Sequence, residues 1–449
     1  MKSISDKLIQ SLICISCGDI LIDPVTLSCG YTTCSRCLST NSPTKQSLFK
    51  CPSPHCNAAA HLFGPELLQD TTITQLVHTF RYFVSNAVKL PLSPRSDDDK
   101  PTNFIPSNIV SLFKCPCCRL TFVEPTTTPC GHIFCRICLL KSKAENDICK
   151  TCLRPLPKYN SLTAQHPNHI LSSFVNQLEL LGSLPYIYRD PLRFLDASYH
   201  QSNIPIFVSN KVVLPGQHTR LSILTPHQLS MFHKSLVPSS RYDLCLASVH
   251  RSNPQVAQFG TILQVVNIEH QNKVVMLDVV GVDRFKLVCH EEDTNGMIIA
   301  NFEVLYEPMV PQIDFAYSSR DNSLTYQNIS EYTADLANNI IEYVKHLGQS
   351  SSAPSHILHS QTTGLLGPLW LESAKLLHGQ IPQKENPAAV CWWAATVLPV
   401  PTNDLYILLR TISLIDRLEL VISWFQSFQS QWKNCRERAI NAYLQIPQH

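Results

Sequence analysis

Cysteines spaced two residues apart are the residues of this sequence best suited to chemistry. The chain of 449 residues holds 19 cysteines, and fifteen of them lie before residue 153. The C-x-x-C spacing directs two thiolates toward one metal ion. The amino terminus has a short apolar patch but no small-residue cleavage site, which argues against secretion and disulfide pairing. We therefore expect metal-bound thiolates in a reducing compartment, the cytoplasm and also the nucleus.

The later of two clusters offers eight ligands, seven cysteines and one histidine. Structural zinc takes four sulfur or nitrogen ligands in a tetrahedron, so eight ligands predict two closed sites and two zinc ions. Bound metal would stabilise a segment that is too short to bury a core of its own. The eight ligands are Cys115, Cys118, Cys130, His132, Cys135, Cys138, Cys149 and Cys152.

An earlier cluster repeats the pattern at an offset of 101 residues. The flanking sequences also agree, DPVTLSCGYTTCSRCL against EPTTTPCGHIFCRICL. Apolar residues at helical spacing follow each cluster, so the sequence predicts a zinc module and a helix, present twice. We call these the first and the second module. The candidate ligands of the first module are Cys14, Cys17, Cys29, Cys34, Cys37, Cys51 and Cys56.

The first module has Tyr31 where the second has its histidine. A neutral phenol is a poor zinc ligand, because its pKa is about 10. Either His55 or His61 could replace the missing donor beside the last three cysteines. Alternatively Tyr31 or water closes the site, or the site holds no metal. We therefore expect one or two zinc ions in the first module.

Both clusters resemble RING fingers. In that family the first and third ligand pairs share one zinc ion, and the second and fourth pairs share the other. The resemblance implies a grip on a ubiquitin-conjugating enzyme charged with ubiquitin, and catalysis by orientation without a catalytic side chain. The positions that it implies for contact with this enzyme are Ile15, Pro52, Pro116, Cys117, Leu139, Leu140 and Arg154.

Residues from about 203 to 435 have a different texture, short strands followed by helices. We predict strands at Ile204–Phe207, Lys211–Gly216, Phe259–Val266, Val274–Val280, Arg284–Val288 and Ile298–Leu305. Two helices are expected after them, a buried one over Ala388–Leu398 and a long one over Asp404–Phe428.

This half resembles the N-terminal, substrate-recognition domain of Lon proteases, and we call it the Lon-type domain. The matching pieces are Ile204–Phe207, Leu214–Gly216, Leu221–Met231, Phe259–Thr261, Gly281–Phe285 and Asp416–Leu418. The resemblance implies a small twisted β-barrel packed on helices. It also implies a structural role for Arg284 through hydrogen bonds within the barrel. An apolar client-binding surface near Phe207 or Phe259 is a guess, since both suit a core.

The fold class that follows is multidomain α+β. We expect the first module with its helix at 10–89, a flexible linker at 90–108 and the second module with its helix at 109–182. The β subdomain of the Lon-type domain is expected at 203–310, and its helical subdomain at 320–440. The linker is rich in Pro, Ser and Asp, and would free the two modules to reorient.

Several classes of protein are disfavoured. A net charge of +2 without a basic stripe argues against nucleic-acid binding. No phosphate-binding glycine loop, GxSxG or HExxH motif occurs, so we expect neither ATPase nor protease activity. No apolar run reaches the ~20 residues of a membrane span.

Two RING-like modules joined to a Lon-type domain resemble the LON-domain RING finger protein family. The resemblance implies a ubiquitin ligase that selects protein clients, in the manner of protein quality control. The alternative is a non-catalytic, zinc-stabilised adaptor that binds partners.

Overall fold

The structure is a computed structural model with an α+β fold. It describes residues 10–38, 47–56, 58, 61–63, 67–87, 110–180, 200–239, 241–252, 255–271, 274–307, 326–348 and 369–444. Two compact units divide the chain, Met1–Pro191 with Val266–Met276, and Leu192–Val265 with Leu277–His449. The expected linker, 90–108, lies outside the described residues.

The first module is built from short strands and ends in a helix. Its elements are β1 (Pro24–Thr26), β2 (Thr32–Cys34), a 3-10 turn (Ser35–Leu38), β3 (Ser47–Phe49), β4 (His61–Phe63) and α1 (Thr71–Ala87). Strands β1 and β2 form an antiparallel hairpin, as do β3 and β4. Gly30 lies in the turn between β1 and β2 with a φ of +81°, a conformation that favours glycine.

The second module repeats this hairpin and continues with helices. Its elements are β5 (Pro125–Thr127), β6 (Ile133–Cys135), α2 (Arg136–Asn146), α3 (Tyr159–Thr163) and α4 (His169–Leu180). Register is conserved between the hairpins, with Pro24 opposite Cys34 and Pro125 opposite Cys135.

The predicted helix after each cluster is confirmed as α1 and α4. The side chain just before each helix caps it: Asp70 Oδ1 accepts from the Ile73 amide at 2.9 Å, and Asn168 Oδ1 accepts from the Leu171 amide at 3.1 Å. The apolar faces of both helices are buried, at Ile73, Leu76, Val77, Leu171, Phe174, Val175 and Leu178.

The β subdomain of the Lon-type domain is a closed barrel, as the resemblance implied. Its elements are β7 (His200–Ser209), β8 (His218–Ile223), α5 (Pro226–Ser235), β9 (Val237–Pro238), β10 (Leu244–Ser252), β11 (Gln255–Gln271), β12 (Val274–Glu292) and β13 (Ile298–Leu305). The sheet order is β11-β10-β7-β13-β12-β8, and pairing of β11 with β12 closes it. Buried Ile206, Phe285 and Phe302 lie at the centre of the barrel core.

Two strand predictions were wrong. Residues 211–216 form no strand, because Val212 and Leu214 pack into the core of the helical subdomain instead. The stretches Val274–Val280 and Arg284–Val288 belong to one continuous strand, β12.

The helical subdomain packs around two adjacent tryptophans, Trp392 and Trp393. Its helices are α6 (Tyr326–Gly348), α7 (Trp370–His378), α8 (Pro387–Val397), α9 (Thr402–Arg410) and α10 (Leu414–Leu444). The buried helix expected over Ala388–Leu398 is confirmed as α8. Among the described helices, none is long and apolar enough to cross a bilayer.

The single long helix expected over Asp404–Phe428 is broken into α9 and α10. Arg284 explains the break, because its guanidinium donates to the carbonyl oxygens of Leu409 at 3.0 Å and Thr411 at 2.7 Å. These carbonyls are thereby removed from the helical ladder. The role of Arg284 is structural, as expected: the carbonyls that it binds lie in the helical subdomain, and its Nε pairs with Glu307, just after β13, at 3.2 Å.

Glu307 joins a second arginine to this contact between the barrel and the helices. Its carboxylate binds Arg417 through two hydrogen bonds of 2.8 and 2.6 Å. The Arg417 guanidinium is fully buried and lies 4.7 Å from the ring centre of Trp392. Burial of such an ion pair requires partners for both charges, and here each charge has them.

Candidate zinc sites

The structure brings the candidate ligands together in four groups. Within each group the ligand atoms all lie within 4.8 Å of one another. In both modules the first group joins the first and third ligand pairs, and the second group joins the rest. The groups are Cys14, Cys17, Cys34 and Cys37; Cys29, Cys51, Cys56 and His61; Cys115, Cys118, Cys135 and Cys138; and Cys130, His132, Cys149 and Cys152.

The spacing of the sulfurs matches a zinc tetrahedron. The Sγ atoms are 3.8 Å apart in Cys14 and Cys37, and 3.9 Å apart in Cys118 and Cys135. Four ligands at the ~2.3 Å of a zinc–sulfur bond lie ~3.8 Å from one another. A disulfide would require ~2.05 Å. All four groups therefore suit zinc.

Burial makes the thiols of Cys29 and Cys130 dependent on a cation for their ionisation. It raises the pKa of the Cys29 and Cys130 thiols to about 12, so they stay protonated at neutral pH without a metal. Zinc would displace these protons and hold the thiolates. Burial, together with the charge of Arg154, lowers the pKa of His132, which keeps the imidazole in its neutral, metal-binding form. Zinc would supply structure here, because each group provides a closed set of four donors.

The fourth donor of the incomplete first-module site is His61. Its Nε2 lies 3.1 Å from the Sγ of Cys56, and its Nδ1 lies 2.9 Å from the Oγ of Ser28, which fixes the ring. The imidazole is buried, and its pKa is lowered by that burial. His55, the other candidate, is exposed and belongs to none of the four groups. Strand β4 places His61, and neither ligand spacing nor a motif distinguished it from His55.

Tyr31 lies outside the four groups and has a packing role. Its ring stacks on the imidazole of His169 with the ring centres 4.0 Å apart. His169 begins α4, so this stack joins the first module to the helix of the second. Burial is the main cause of the lowered pKa of His169, whose ring is therefore neutral at pH 7.

The expected contacts with a conjugating enzyme fall into three classes by exposure. Pro52, Pro116 and Arg154 are exposed, while Ile15 and Cys117 are half-buried. Leu139 and Leu140 were wrongly assigned, because α2 turns both side chains into the core of the module, where they are buried. The exposed candidate contacts of the second module therefore lie on its ligand loops.

A cavity of about 200 Å³ adjoins this surface. Pro116, His132 and Thr151 of the second module form part of its lining. Thr71 and Gln75, from the first turns of α1, line another part. The helix that follows the first module thus contributes to a surface beside the ligand loops of the second.

The guess of a client-binding surface in the barrel finds little support. Phe207 is buried in the sheet, as a core residue would be. Phe259 is half-buried and lines a cavity of about 10 Å³, enough for one water molecule and far too small for a peptide. The cavity beside Phe259 is therefore no candidate for a peptide site.

Two family models match the chain. The model of the ATP-dependent protease La (LON) substrate-binding domain matches residues 203–427, half of the chain. The RING-type zinc-finger model matches residues 14–52 and 115–166, in the two modules. A Lon N-terminal domain protein from Xanthomonas campestris has a TM-score of 0.31 and 17% identity, and the match covers 50% of this chain and 98% of that one.

Two curated proteins are similar over different lengths. A LON peptidase N-terminal domain and RING finger protein of Schizosaccharomyces pombe is 22% identical over 330 residues, 59% of this chain and 66% of that protein. The E3 ubiquitin-protein ligase TRIM31 of Homo sapiens is 43% identical over 47 residues, 10% of this chain and 11% of the ligase. The chain spans less than two thirds of the length of these relatives. With its paired zinc clusters and its barrel matched, the chain belongs to the family of proteins that join RING-type zinc fingers to a LON substrate-binding domain.

Proposed function

We propose that this chain is a RING-type ubiquitin ligase whose second module recruits the charged conjugating enzyme. One observation carries the proposal: the second module has a full set of eight ligands in two interleaved groups, and its ligand loops expose Pro116 and Arg154. The likeness to a protein named as an E3 ubiquitin-protein ligase supports it.

The chemistry of such a ligase is positional. The four ligands of each group would hold zinc, which would fix the two ligand loops, and the loops hold the enzyme with its ubiquitin thioester in a reactive orientation. No side chain of this chain needs to form a covalent bond with ubiquitin. We propose that Arg154, beside the last ligand of the second module, contacts the ubiquitin.

Clients are proposed to bind the Lon-type domain. Relatives of this domain are described as substrate-binding, and a client bound there would present its lysines to the enzyme held by the modules. Exposed apolar segments of damaged proteins are the proposed clients. We place the protein in the cytoplasm and the nucleus, where a reducing environment preserves thiolate ligands.

Discharge of ubiquitin from a panel of charged conjugating enzymes onto free lysine tests the proposal in the full-length, zinc-loaded protein. We expect Arg154→Ala to slow discharge at least tenfold while leaving the zinc content unchanged. Lys158→Ala is the matched control, since Lys158 is an exposed cation of the same module, four residues away. Equal rates for the two variants would contradict the role of Arg154.

Variants of the zinc ligands separate the contributions of the modules. Cys115→Ala should abolish discharge, and Cys14→Ala should reduce it through the first module. Absence of discharge by the wild-type protein across the whole panel would contradict the ligase proposal and favour the zinc-stabilised adaptor. The buried positions of Leu139 and Leu140 are the observation that favours that second function.

A further inference from the structure

The two modules are paired, and each hydrogen-bonds the segment that leads into the helix of the other. Around the start of α1, the amides of Leu68 and Thr71 donate to the carbonyls of Pro129 and Gly131 in the second module, at 2.7 and 2.9 Å. These bonds cross from the first repeat to the second. The expectation that a linker frees the modules to reorient is therefore wrong.

Equivalent hydrogen bonds run in the opposite direction, with their donors in the second module and their acceptors in the first. Around the start of α4, the amides of His166 and His169 donate to the carbonyls of Ser28 and Gly30 in the first module, at 2.9 and 3.0 Å. The donors of the two sets are related by the 98-residue offset of the helices, and the acceptors by the 101-residue offset of the clusters. The pair thus has approximate two-fold symmetry within one chain.

Backbone atoms approach closely at both symmetric contacts. A Cβ atom on Gly30 would lie 2.1 Å from the carbonyl oxygen of Pro167, and one on Gly131 would lie 1.9 Å from that of Gln69. Both glycines also have φ near +80°. Only glycine satisfies the two requirements together, so the symmetric contacts are built into the ligand loops of both modules.

Four buried polar side chains meet at the centre of the pair. Asp70 Oδ2 accepts from Thr26 at 2.8 Å, from Thr127 at 3.1 Å and from the Nδ2 of Asn168 at 3.1 Å. Asn168 Nδ2 also donates to both threonine hydroxyls. All four side chains are at most 4% exposed. The remaining polar atom of each side chain, Oδ1 of Asp70 and Oδ1 of Asn168, accepts from a helix amide as a cap, so the acceptor Oδ2 of Asp70 faces the donor Nδ2 of Asn168 across the axis.

We propose that Asp70 and Asn168 specify pairing of the first module with the second. Two first modules would bring two carboxylates together, and two second modules would oppose two amide donors. Either mismatch leaves buried polar groups without partners, which is costly in a site this dry. The mixed pair satisfies every group, and in this structure both of its modules belong to one chain.

The pairing positions the second module for ubiquitin transfer, a consequence that rests on the proposed function. Pairing fixes the start of α1 beside the ligand loops of the second module, where Thr71 and Gln75 help to line the cavity next to Pro116. We assign this space to the conjugating enzyme, because a candidate enzyme contact lines it. Asp70 and Asn168 act here as positioning residues, without touching the enzyme.

Swapping the two central residues, Asp70 and Asn168, tests whether they specify the pairing of the modules. Amide hydrogen exchange of the full-length, zinc-loaded protein would be followed by mass spectrometry in peptides from the first turns of α1 and α4. We expect Asn168→Asp to speed exchange there at least tenfold, and Asp70→Asn to speed it several-fold. The double variant, D70N with N168D, restores a donor opposite an acceptor and should recover most of the protection from amide exchange.

The control variant is Asn160→Asp, which adds the same charge at an exposed position of α3. It should leave exchange in both helices unchanged. If the amides of the double variant were no better protected than those of Asn168→Asp alone, the proposal would be overturned, because complementarity would then play no part. Exchange limited to α4 in Asn168→Asp would overturn it as well, since pairing couples the two helices.

Sedimentation and ubiquitin discharge complete the test. We expect the wild-type protein to sediment as a monomer, and a dimer that dissociates in Asn168→Asp would overturn pairing within one chain. The rate of ubiquitin discharge should fall in Asn168→Asp, with all zinc retained, and should recover in the double variant. If the wild-type protein lacks discharge activity but shows the expected exchange pattern, the proposed function fails and the pairing stands.

Discussion

The two zinc modules of this chain complete their second group of four ligands with histidines from different positions in the sequence. In the second module His132 follows Cys130 in the hairpin turn and faces the sulfurs through Nδ1. In the first, His61 comes from β4 and faces Cys56 through Nε2. The comparison teaches that a zinc site requires a donor at a point in space, and that the chain can deliver it from more than one position.

In the first module, the turn position that corresponds to His132 has a packing role. Tyr31 fills it and stacks on His169 across the pair. On the symmetry-related side, His132 and Thr71 line a cavity of about 200 Å³. One side of the pair is therefore filled by a stack, and the other side is open beside the ligand loops.

The largest expected effect follows from removing the substitute donor. His61→Ala should lower the zinc content from four ions per chain to three, because three remaining donors do not close a structural site. Structural zinc contributes on the order of 10 kcal/mol to such modules. Zinc release titrated with a chromogenic chelator measures the content. His55→Ala is the control and should retain all four ions, and a loss in that variant would contradict the assignment.

Disruption of the pair at its backbone contact should come next. Gly131→Ala should destabilise the pair by about 3–5 kcal/mol, through the strain of positive φ and the overlap with Gln69. Gly18→Ala is the matched control, since its φ is +73° and a Cβ atom would meet nothing within 4 Å. It should cost only the ~1–2 kcal/mol of backbone strain. Equal losses in urea unfolding would show that the contact contributes nothing.

A smaller effect is expected from the buried carboxyl at the centre. Burial raises the pKa of Asp70 from 3.8 to about 6, against the opposing effect of its hydrogen bonds. The folded state therefore binds this proton more tightly than the unfolded state. Its stabilising contribution, about 3 kcal/mol, is complete below pH ~4 and is lost as the pH rises through ~6.

Carbon NMR of aspartate-labelled protein measures this titration. One carboxyl resonance should titrate with a midpoint near 6, and it should be missing in Asp70→Asn. The groups that contact this carboxyl are uncharged, from Thr26, Thr127 and Asn168. A midpoint near 4, the ordinary value, would mean that the hydrogen bonds fully offset burial at this position.

The smallest effect should come from the stack that distinguishes the two sides. Tyr31→Ala should weaken the pair by about 1 kcal/mol, the usual contribution of an aromatic contact beyond its buried area. Faster amide exchange at the start of α4 would show it. Tyr31→Phe keeps the ring and should behave as wild type, and a loss in that variant would assign the effect to the hydroxyl.

Much of the zinc chemistry could be predicted from the sequence because it is local. A C-x-x-C turn brings its own sulfurs together, and the repeat offset identified the module and its helix. The choice between His55 and His61 could not be made, because it depends on how β3 and β4 pair across residues that carry no motif. Leu139 and Leu140 were misjudged for a similar reason, since the orientation of α2 decides which of its faces is buried.

Long-range contacts were beyond the sequence in both units. Neither Asp70 nor Asn168 carries a motif, and nothing local shows that these two side chains meet although they are 98 residues apart in the sequence. Arg284 was expected to bond within its own barrel, yet it takes carbonyls 125 and 127 residues later and ends α9 there. Helical periodicity continues through that break, so the pattern alone predicted one helix.

Pairing within one chain makes the RING pair insensitive to dilution. A dimer of separate RING proteins dissociates when its concentration falls below its Kd. Here a tether of 22 residues joins Ala87 to Val110, and tethers of that order hold partners at an effective concentration near the millimolar range. The fraction of paired modules is then the same in a cell with a few copies of the protein as in one with many. Expression level would set how much of the protein is present, and not how much of it is paired.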